Sequence, residues 1–272
     1  MPYVTALFDG QSSIARLEPD GRYTPLQGPP ELGPGIDSAT LSTLQPAGPS
    51  VAPDAVTLRP LVPQAGKILC VGLNYHDHVS ETKRELPTYP VLFPKYASNL
   101  VAPDGAIVKP REATEFDYEA ELAVIIGKRG RRISESSALE HVLGYAAAND
   151  VTVRNFQYKT HQWLQGKAWD DTTPIGALST PDEVDVSAAR ISLVRNGDVL
   201  QDASTADLIF SIAHLIATVS EFTELAPGDI LLTGTPGGVG YRRNPQVFLE
   251  PGDVVTVRID GLTPITNTVT AE

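Results

Sequence analysis

The chain has 272 residues, of which 42% are hydrophobic and 20% charged, which is enough apolar material for one large domain with or without a small appendage. Its net charge of −12 disfavours binding to nucleic acids and to anionic membranes, and an anion-handling site would need a local positive charge such as a metal ion. No apolar stretch approaches the ~20 residues that span a bilayer. With a single cysteine and no basic secretory leader, the sequence predicts a cytoplasmic protein without an intrachain disulfide.

Residues 1 to about 63 differ from the rest of the chain in their pattern of predicted strands, prolines and glycines. Residues 3–8 and 13–17 predict two strands joined by a turn at Asp9-Gly10. A segment rich in proline and glycine follows at 26–35, and further prolines precede residue 64. This pattern indicates a small N-terminal subdomain and linker at 1–63, without evident chemistry, followed by a main domain at 64–272.

The main domain opens with an apolar strand at 68–72, in which Cys70 is predicted to be a buried core thiol. A helix is predicted at 206–221 from apolar residues at a spacing of three to four, with Ser204 or Thr205 as its cap. A shorter helix is predicted at 135–142. The other predicted strands are 106–108, 118–126, 143–149, 191–195, 230–233 and 254–259.

Two ionisable residues follow the first of these strands. His78 and Glu81 are three residues apart, so in a helix they share a face and the carboxylate can orient the imidazole. This pair suits general-base chemistry, because histidine titrates near neutral pH. Two alternatives stay open: a polar surface turn, and a metal site formed by His76 and His78. The polar residues at 82–87 are typical of a mobile cover over a site and also of an ordinary loop.

The sharpest signal is a run of carboxylates at the start of the predicted strand 118–126. Alternate side chains of a strand share a face, so Asp117, Glu119 and Glu121 are expected to point the same way, and the apolar continuation predicts burial. Like charges ~5 Å apart repel by roughly 3 kcal/mol at an effective dielectric near 20. A proton, a basic partner or a cation must therefore offset them. A solvated acidic strand face is the alternative.

A further carboxylate, Asp150, ends the predicted strand 143–149. At a strand end it is well placed to complete a site, although Asn-Asp is also a common turn sequence. Three oxygen ligands without a nearby cysteine favour Mg²⁺, Mn²⁺ or Ca²⁺, whereas zinc usually recruits histidine or cysteine. The residue pattern leaves Asp117 and Asp150 as equal candidates for the third ligand.

The glycine-rich loop at 234–240 follows the predicted strand 230–233. It lacks the Lys-Ser/Thr of a P-loop, and no helix pattern follows, so nucleotide binding is not expected. Close approach of the loop backbone to a small substrate fits better. The Gly-x-Ser-x-Gly signature of serine hydrolases is absent.

Taken together, these blocks and several others resemble the fumarylacetoacetate hydrolase family in order and spacing, from about Lys67 to Val269. The blocks are Val71-Gly72-Leu73-Asn74-Tyr75 with Asp77-His78 and Glu81, Phe93-Pro94-Lys95, Asp117-Tyr118-Glu119-Ala120-Glu121-Leu122, Gly144-Tyr145, Asn149-Asp150-Val151, Gln162-Trp163, Gly166-Lys167, Asn196-Gly197, Gln201, Ile209-Phe210 and Leu232 to Gly240.

The resemblance implies an α+β, mostly β fold, a mixed β-sandwich roll that is usually a homodimer. It implies Mg²⁺ or Mn²⁺ as the cofactor, with Ca²⁺ as a substitute in crystals, and a dyad on a lid that activates water. The site residues that it implies are Glu119, Glu121 and Asp150 for the metal, His78 and Glu81 for the dyad, Lys167 as the active-site lysine, and Gln157, Thr235 and Lys95 for binding substrate.

The function that the resemblance implies is a metal-dependent hydrolase that cleaves a C–C bond in a small 2,4-dioxo acid such as an acylpyruvate or fumarylpyruvate. The alternatives are an isomerase or tautomerase of 2-hydroxy-dienedioates, or an oxaloacetate decarboxylase, acting through the same enolate. Leu73 stands where acylpyruvate-cleaving members often have arginine, as in many isomerase-like members. A degenerate binding module is the non-enzymatic alternative. In each enzymatic case the partner is a small 2-oxo acid.

Overall fold

The computed structural model describes residues 1–82 and 85–272, and its secondary structure is mostly β. The strands are β1 (Tyr3–Phe8), β2 (Gln11–Leu17), β3 (Tyr23–Pro25), β4 (Val56–Leu58), β5 (Ile68–Gly72), β6 (Val91–Lys95), β7 (Leu100–Val101), β8 (Ile107–Lys109), β9 (Phe116–Asp117), β10 (Ala120–Ile126), β11 (Val142–Asn149), β12 (Thr152–Val153), β13 (Thr173–Pro174), β14 (Arg190–Arg195), β15 (Asp198–Ser204), β16 (Ile230–Leu232), β17 (Val254–Ile259) and β18 (Ile265–Ala271).

The helices are few and short. The α-helices are α1 (Ser38–Thr43), α2 (His76–Thr82), α3 (Arg154–Gln157), α4 (Leu164–Lys167) and α5 (Ile212–Phe222). Single 3₁₀ turns or short 3₁₀ helices occupy Pro53–Ala55, Ala97–Asn99, Glu135–His141, Thr205–Asp207 and Gly240–Arg242. Within the described residues, no helix is long and apolar enough to cross a membrane.

A five-stranded sheet in the order β11-β10-β16-β5-β6 forms the centre of the fold. It is mixed, because β16 and β5 run parallel while the other neighbours are antiparallel. Every residue of β10 is buried. Leu122 and Val124 pack into one hydrophobic cluster, and Ala123 and Ile125 pack into another on the opposite face. Burial on both faces explains why residues 122–126 of this strand form a continuous apolar run.

A second five-stranded sheet, in the order β15-β14-β17-β18-β8, covers one face of the first. Its inward residues Leu193, Val257 and Ile265 belong to the same cluster as Leu122 and Val124. The two sheets therefore form a sandwich around a shared core. This arrangement confirms the expected fold class, an α+β, mostly β structure built from mixed sheets.

The N-terminal residues form a separate four-stranded sheet in the order β3-β2-β1-β4. It is not isolated, because Ile14, Leu32 and Leu61 pack into the second cluster together with Cys70 and Ile125. Cys70 is fully buried, as predicted. The division at residue 63 stays a prediction.

The helix predicted at 206–221 begins later than expected. Ser204 caps only a 3₁₀ turn, and α5 starts after Ser211, whose hydroxyl accepts a hydrogen bond from the His214 amide at 3.1 Å. Asn74 holds the intervening residues, since its Oδ1 accepts from the Phe210 amide at 2.7 Å. A tertiary hydrogen bond thus overrides the local helical pattern. The segment predicted as a short helix at 135–142 is the 3₁₀ helix Glu135–His141.

Candidate active site

The carboxylates of Glu119, Glu121 and Asp150 meet at one end of β10, where each offers an oxygen atom within 4.8 Å of the others. Strand register brings them together, because β10 and β11 are antiparallel with Ala120 opposite Asn149. Glu119 and Asp150 are the next residues outward, and the Asp150 amide donates to the Glu119 carbonyl at 2.8 Å. All three side chains are buried. The alternative of a solvated acidic face is therefore wrong.

Asp117 does not join this group. The strand predicted at 118–126 begins only at Ala120, and Tyr118 and Glu119 belong to neither β9 nor β10, so the expected alternation of faces does not extend back to Asp117. The Asp117 carboxylate instead accepts hydrogen bonds from the backbone amides of Gly240 at 2.8 Å and Tyr241 at 3.0 Å. Of the two candidates that the residue pattern left open, the geometry favours Asp150 as the third member of the cluster.

Within the described residues, three buried cations, Lys167, Arg154 and Lys95, contact the cluster and compensate part of its acidic charge. Lys167 Nζ donates to Glu119 Oε2 at 2.6 Å and to Asp150 Oδ2 at 2.7 Å. Arg154 bridges Glu119 and Asp117, with Nη2 2.7 Å from Glu119 Oε1 and Nε 2.8 Å from Asp117 Oδ2. Burial by itself would raise the pKa of Glu119, but the charges of Lys167 and Arg154 outweigh it and lower that pKa to about 2.

The negative charge of Glu121 is less well compensated than that of Glu119. Its Oε2 accepts a hydrogen bond from the Gly234 amide at 2.8 Å, and it forms no ion pair within the described residues. Burial, followed by the charges of Asp150 and Glu119, raises the pKa of Glu121. A bound cation would relieve this repulsion. Three buried carboxylates without sulfur or imidazole are the donor set that hard divalent cations prefer, so the residues fit Mg²⁺ or Mn²⁺.

Lys95 contacts Asp150 but does not line the cleft described below. Its ammonium is 2.7 Å from Asp150 Oδ1 and donates to Thr173 Oγ1 at 2.6 Å. Its side chain is fully enclosed. The predicted contact between Lys95 and substrate does not fit this geometry, because the enclosed ammonium does not line the cleft, whereas Lys167 does.

His78 and Glu81 form a hydrogen-bonded pair on α2, with His78 Nδ1 2.7 Å from Glu81 Oε1. The second oxygen of Glu81 accepts from the Gly238 amide at 2.9 Å, which ties α2 to the glycine-rich loop. A carboxylate at Nδ1 fixes the tautomer of a neutral imidazole and leaves Nε2 as the acceptor. His76 is exposed and takes no part in the carboxylate cluster. Part of the predicted cover at 82–87 lies outside the described residues, at Lys83 and Arg84.

One cleft is lined by Glu119, Glu121, His78 and Lys167. Gln157 also lines it, and its Oε1 accepts from Arg154 Nη1 at 2.9 Å. Thr235 Oγ1 accepts from Gln201 Nε2 at 2.8 Å, so its own proton is available to a ligand. The other lining residues are Val71, Gly72, Leu73, Phe93, Arg154, Tyr158, Trp163, Val239, Tyr241 and Arg242.

Sequence reasoning missed the residues that hold this site in place. Arg154 bridges two carboxylates, and Gln201 ties Thr235 to β10 by accepting from the Ala120 amide at 2.8 Å. Arg154 carries a sequence signal, since it is a charge directly after the β-branched segment at 151–153. Gln201 had no such signal beyond its place among the family-like blocks.

Comparisons with known proteins agree with this architecture. The fumarylacetoacetate (FAA) hydrolase C-terminal family matches residues 67–270. The chain is 46% identical to the oxaloacetate tautomerase fahd2 of Xenopus laevis over 207 residues, covering 75% of this chain and 65% of that protein, which is less than two thirds of its length. It is 42% identical to the human oxaloacetate tautomerase FAHD2A over 243 residues, covering 88% of this chain and 77% of that protein. Both relatives are named as mitochondrial, so they lend no support to the predicted cytoplasmic location.

Two solved structures extend the comparison. The 5-carboxymethyl-2-hydroxymuconate delta-isomerase of Mycobacterium smegmatis is 29% identical, with a TM-score of 0.85 over 100% of both chains. The fumarylpyruvate hydrolase of Pseudomonas aeruginosa, solved with Mn²⁺ and pyruvate, is 35% identical, with a TM-score of 0.70 over 76% of this chain and 91% of that chain. These relatives are enzymes that act on small molecules. The family match covers most of the chain, and this protein belongs to the fumarylacetoacetate hydrolase family.

Proposed function

We propose that the protein catalyses the divalent-metal-dependent enolisation of a small 2-oxo acid, with the keto–enol tautomerisation of oxaloacetate as its reaction. The observation that carries this proposal is a cleft lined by Glu119, Glu121, His78 and the buried Lys167. Asp150 completes the carboxylate cluster, and Glu81 is hydrogen-bonded to His78. Relatives that are 46% and 42% identical are named oxaloacetate tautomerases, which supports the choice of substrate.

Mg²⁺ or Mn²⁺ held by Glu119, Glu121 and Asp150 would supply the positive charge that binds a 2-oxo carboxylate and acidifies the neighbouring C–H. Lys167 is charged in this site, because burial would lower its pKa but Asp150 and Glu119 raise it. Its ammonium can therefore donate a hydrogen bond to the substrate's 2-oxo oxygen, where negative charge develops on enolisation.

His78 is placed to move the proton. Its Nδ1 is engaged by Glu81, whereas Nε2 forms no hydrogen bond within the part of the chain that the structure describes. Nε2 removes a proton at C3 of the substrate, and the Glu81 carboxylate stabilises the imidazolium that results. The same nitrogen returns the proton to the 2-oxo oxygen to complete the enol, or to C3 in the reverse reaction.

Hydrolysis of a C–C bond in an acylpyruvate or fumarylpyruvate is the second candidate. The observation that favours it is the same His78–Glu81 pair, which suits the removal of a proton from water as well as from carbon. The fumarylpyruvate hydrolase with 35% identity supports this alternative. The two functions differ in whether a water molecule can sit beside His78 while substrate is bound.

The test is a product analysis with purified protein and Mn²⁺ or Mg²⁺. In D₂O, the tautomerase accelerates exchange of the C3 protons of oxaloacetate, which NMR follows directly. Acetylpyruvate and fumarylpyruvate are assayed in parallel for release of pyruvate. Rapid exchange without cleavage supports the tautomerase function. Rapid release of pyruvate would instead indicate that the protein is a hydrolase. If neither occurs, enolisation is not the function.

We further propose that the protein is a homodimer, as the family resemblance implies. Light scattering on the purified protein tests this directly. A mass of one chain would contradict it.

A further inference from the structure

The basic side chains around the cleft differ in whether a protein group already uses their charge. Within the described residues, three of them already donate hydrogen bonds to carboxylate, hydroxyl or carbonyl oxygens. These are Lys167 with Glu119 and Asp150, Arg154 with Asp117, Glu119 and Gln157, and Arg243 with Tyr118 Oη, Gly238 O and Leu200 O.

Arg242 is different. It lines the cleft with an exposed side chain, and within residues 1–82 and 85–272 its guanidinium forms no ion pair or hydrogen bond. Its guanidinium lies over the neighbouring ring of Tyr241, whose centre is 5.2 Å from the guanidinium carbon. Stacking on an aromatic face orients a guanidinium without using its N–H donors, so these donors remain free for a ligand.

The backbone that carries Arg242 is held at several points. The Gly240 and Tyr241 amides donate to Asp117 at 2.8 Å and 3.0 Å. Earlier in the same loop, the Gly238 amide donates to Glu81. The Tyr241 ring also packs against Tyr158, with 5.1 Å between the ring centres. A cation on a backbone held in this way loses little conformational freedom when it binds an anion.

The cleft therefore has a buried acidic end and an exposed basic end. Glu119 and Glu121 are only 4% and 1% exposed, whereas Arg242 is exposed at the opening. In the proposed function, the 2-oxo carboxylate group of the substrate lies at the buried end. A second carboxylate, a few bonds away, then extends towards the opening and meets the fork of N–H donors that suits it.

We propose that Arg242 binds the second carboxylate of the substrate, so that the site selects 2-oxo dicarboxylates over 2-oxo monocarboxylates. This inference rests on the proposed function, because it names the substrate class of the same cleft. The overall charge of −12 repels dianions more strongly than monoanions. A local cation at the opening is what reverses that preference.

Two ligands that cannot enolise provide a matched pair of probes. 3,3-Dimethyloxaloacetate and trimethylpyruvate both carry a 2-oxo carboxylate, and they differ in that a carboxylate of the first is a methyl group in the second. Calorimetric titration of the Mn²⁺-loaded protein measures the dissociation constant of each. The variants are Arg242→Gln and, as a control, Arg258→Gln, which changes an exposed arginine on β17 that does not line the cleft.

The wild type and Arg258→Gln are expected to bind the diacid about ten-fold more tightly than the monoacid, and Arg242→Gln should abolish this preference. Affinity for the monoacid should be unchanged in both variants. A preference that survives in Arg242→Gln, a wild type without any preference, or no binding of either ligand would overturn the proposal.

The exchange assay with oxaloacetate separates this inference from the proposed function. If the protein prefers the diacid through Arg242 but does not accelerate exchange, the carboxylate subsite is supported and the tautomerase function is rejected. Rapid exchange in a protein without the preference keeps the tautomerase and rejects the subsite.

Discussion

Lys167 and Glu119 form a buried ion pair in which Nζ lies 2.6 Å from Oε2. The same ammonium is 2.7 Å from Asp150 Oδ2, so it contacts two of the three carboxylates proposed to hold the metal. Lys167 is thus an internal counter-ion for the cluster as well as the proposed donor to substrate. These two roles can be tested separately, by metal binding and stability on one side and by turnover on the other.

Replacing Lys167 by methionine should separate metal binding from turnover. Without the ammonium, the carboxylates attract a cation more strongly, so Mn²⁺ should bind at least as tightly as in the wild type. Turnover should fall by about 100-fold, because the donor to the developing oxyanion is lost. Calorimetric titration and the exchange assay measure these quantities. Loss of Mn²⁺ binding together with turnover would contradict the assigned role.

The same variant should be less stable in its metal-free form, by about 3 kcal/mol, because Glu119 and Asp150 each lose one of their buried basic partners and keep only Arg154 and Lys95. Mn²⁺ should restore much of this loss. The control is Lys128→Met, which removes an exposed pair with Glu140 and should change the free energy of unfolding by less than about 0.5 kcal/mol.

Glu121→Gln should stabilise the metal-free protein while abolishing metal binding. In the wild type, burial and the charges of Asp150 and Glu119 raise the pKa of Glu121 above 4.5, so the ionised group is unfavourable in the folded state. A neutral amide removes that cost, and we expect a gain of about 1–2 kcal/mol at neutral pH. Chemical unfolding with EDTA present measures it. A destabilised metal-free variant would contradict this account of the cluster.

The stabilisation by Glu121→Gln should depend on pH with a definite sign. An acid whose pKa is raised by folding stabilises the folded state at pH values below its unfolded pKa, near 4.5, and loses this contribution as pH rises through the folded pKa. The difference in stability between variant and wild type should therefore grow as pH rises above 4.5. A difference that is constant or shrinks over that range would show that Glu121 is not the strained carboxylate.

Asp117→Asn tests which carboxylates belong to the metal site. Asp117 contacts Arg154 and two loop amides, so the variant should keep its affinity for Mn²⁺ within a few fold while losing about 2–4 kcal/mol of stability. Glu119→Gln is the matched comparison and should lose Mn²⁺ binding. If both variants lose the metal equally, Asp117 is a ligand after all.

His78→Ala should lower turnover by ~10²–10³-fold and leave Mn²⁺ affinity unchanged, because His78 moves the proton and does not touch the carboxylate cluster in this account. Glu81→Gln should cause a smaller loss, since the imidazole remains but its partner is neutral. His76→Ala, an exposed change on the same helix, is the control and should be as active as the wild type. Activity lost in His76→Ala but kept in His78→Ala would reverse the assignment.

The secondary structure near the core was largely predictable, since its cause is local. Strand β5 lies where the apolar run at 68–72 predicted it, and β10 was expected at 118–126. The start of α5 was not predictable from periodicity, because it is determined by the bond from the Phe210 amide to Asn74, a residue far away in the chain. Long-range hydrogen bonds of this kind leave no pattern in a short window of sequence.

The site was predictable only where its geometry follows from the local sequence. Alternation along a strand brought Glu119 and Glu121 together but also wrongly added Asp117, because nothing local indicated the interruption between β9 and β10. The position of Asp150 depends on the register of two strands, and the family resemblance supplied what the residue pattern left open. The bridging role of Arg154 depends on tertiary contacts that only the folded chain reveals.

The most direct test of the central claim is oxaloacetate C3 proton exchange measured before and after removal of metal with EDTA. Exchange should fall to the uncatalysed rate, Mn²⁺ or Mg²⁺ should restore it in the wild type, and neither cation should restore it in Glu119→Ala. Full activity after EDTA treatment, together with an active Glu119→Ala, would contradict the claim that Glu119, Glu121 and Asp150 hold a catalytic metal.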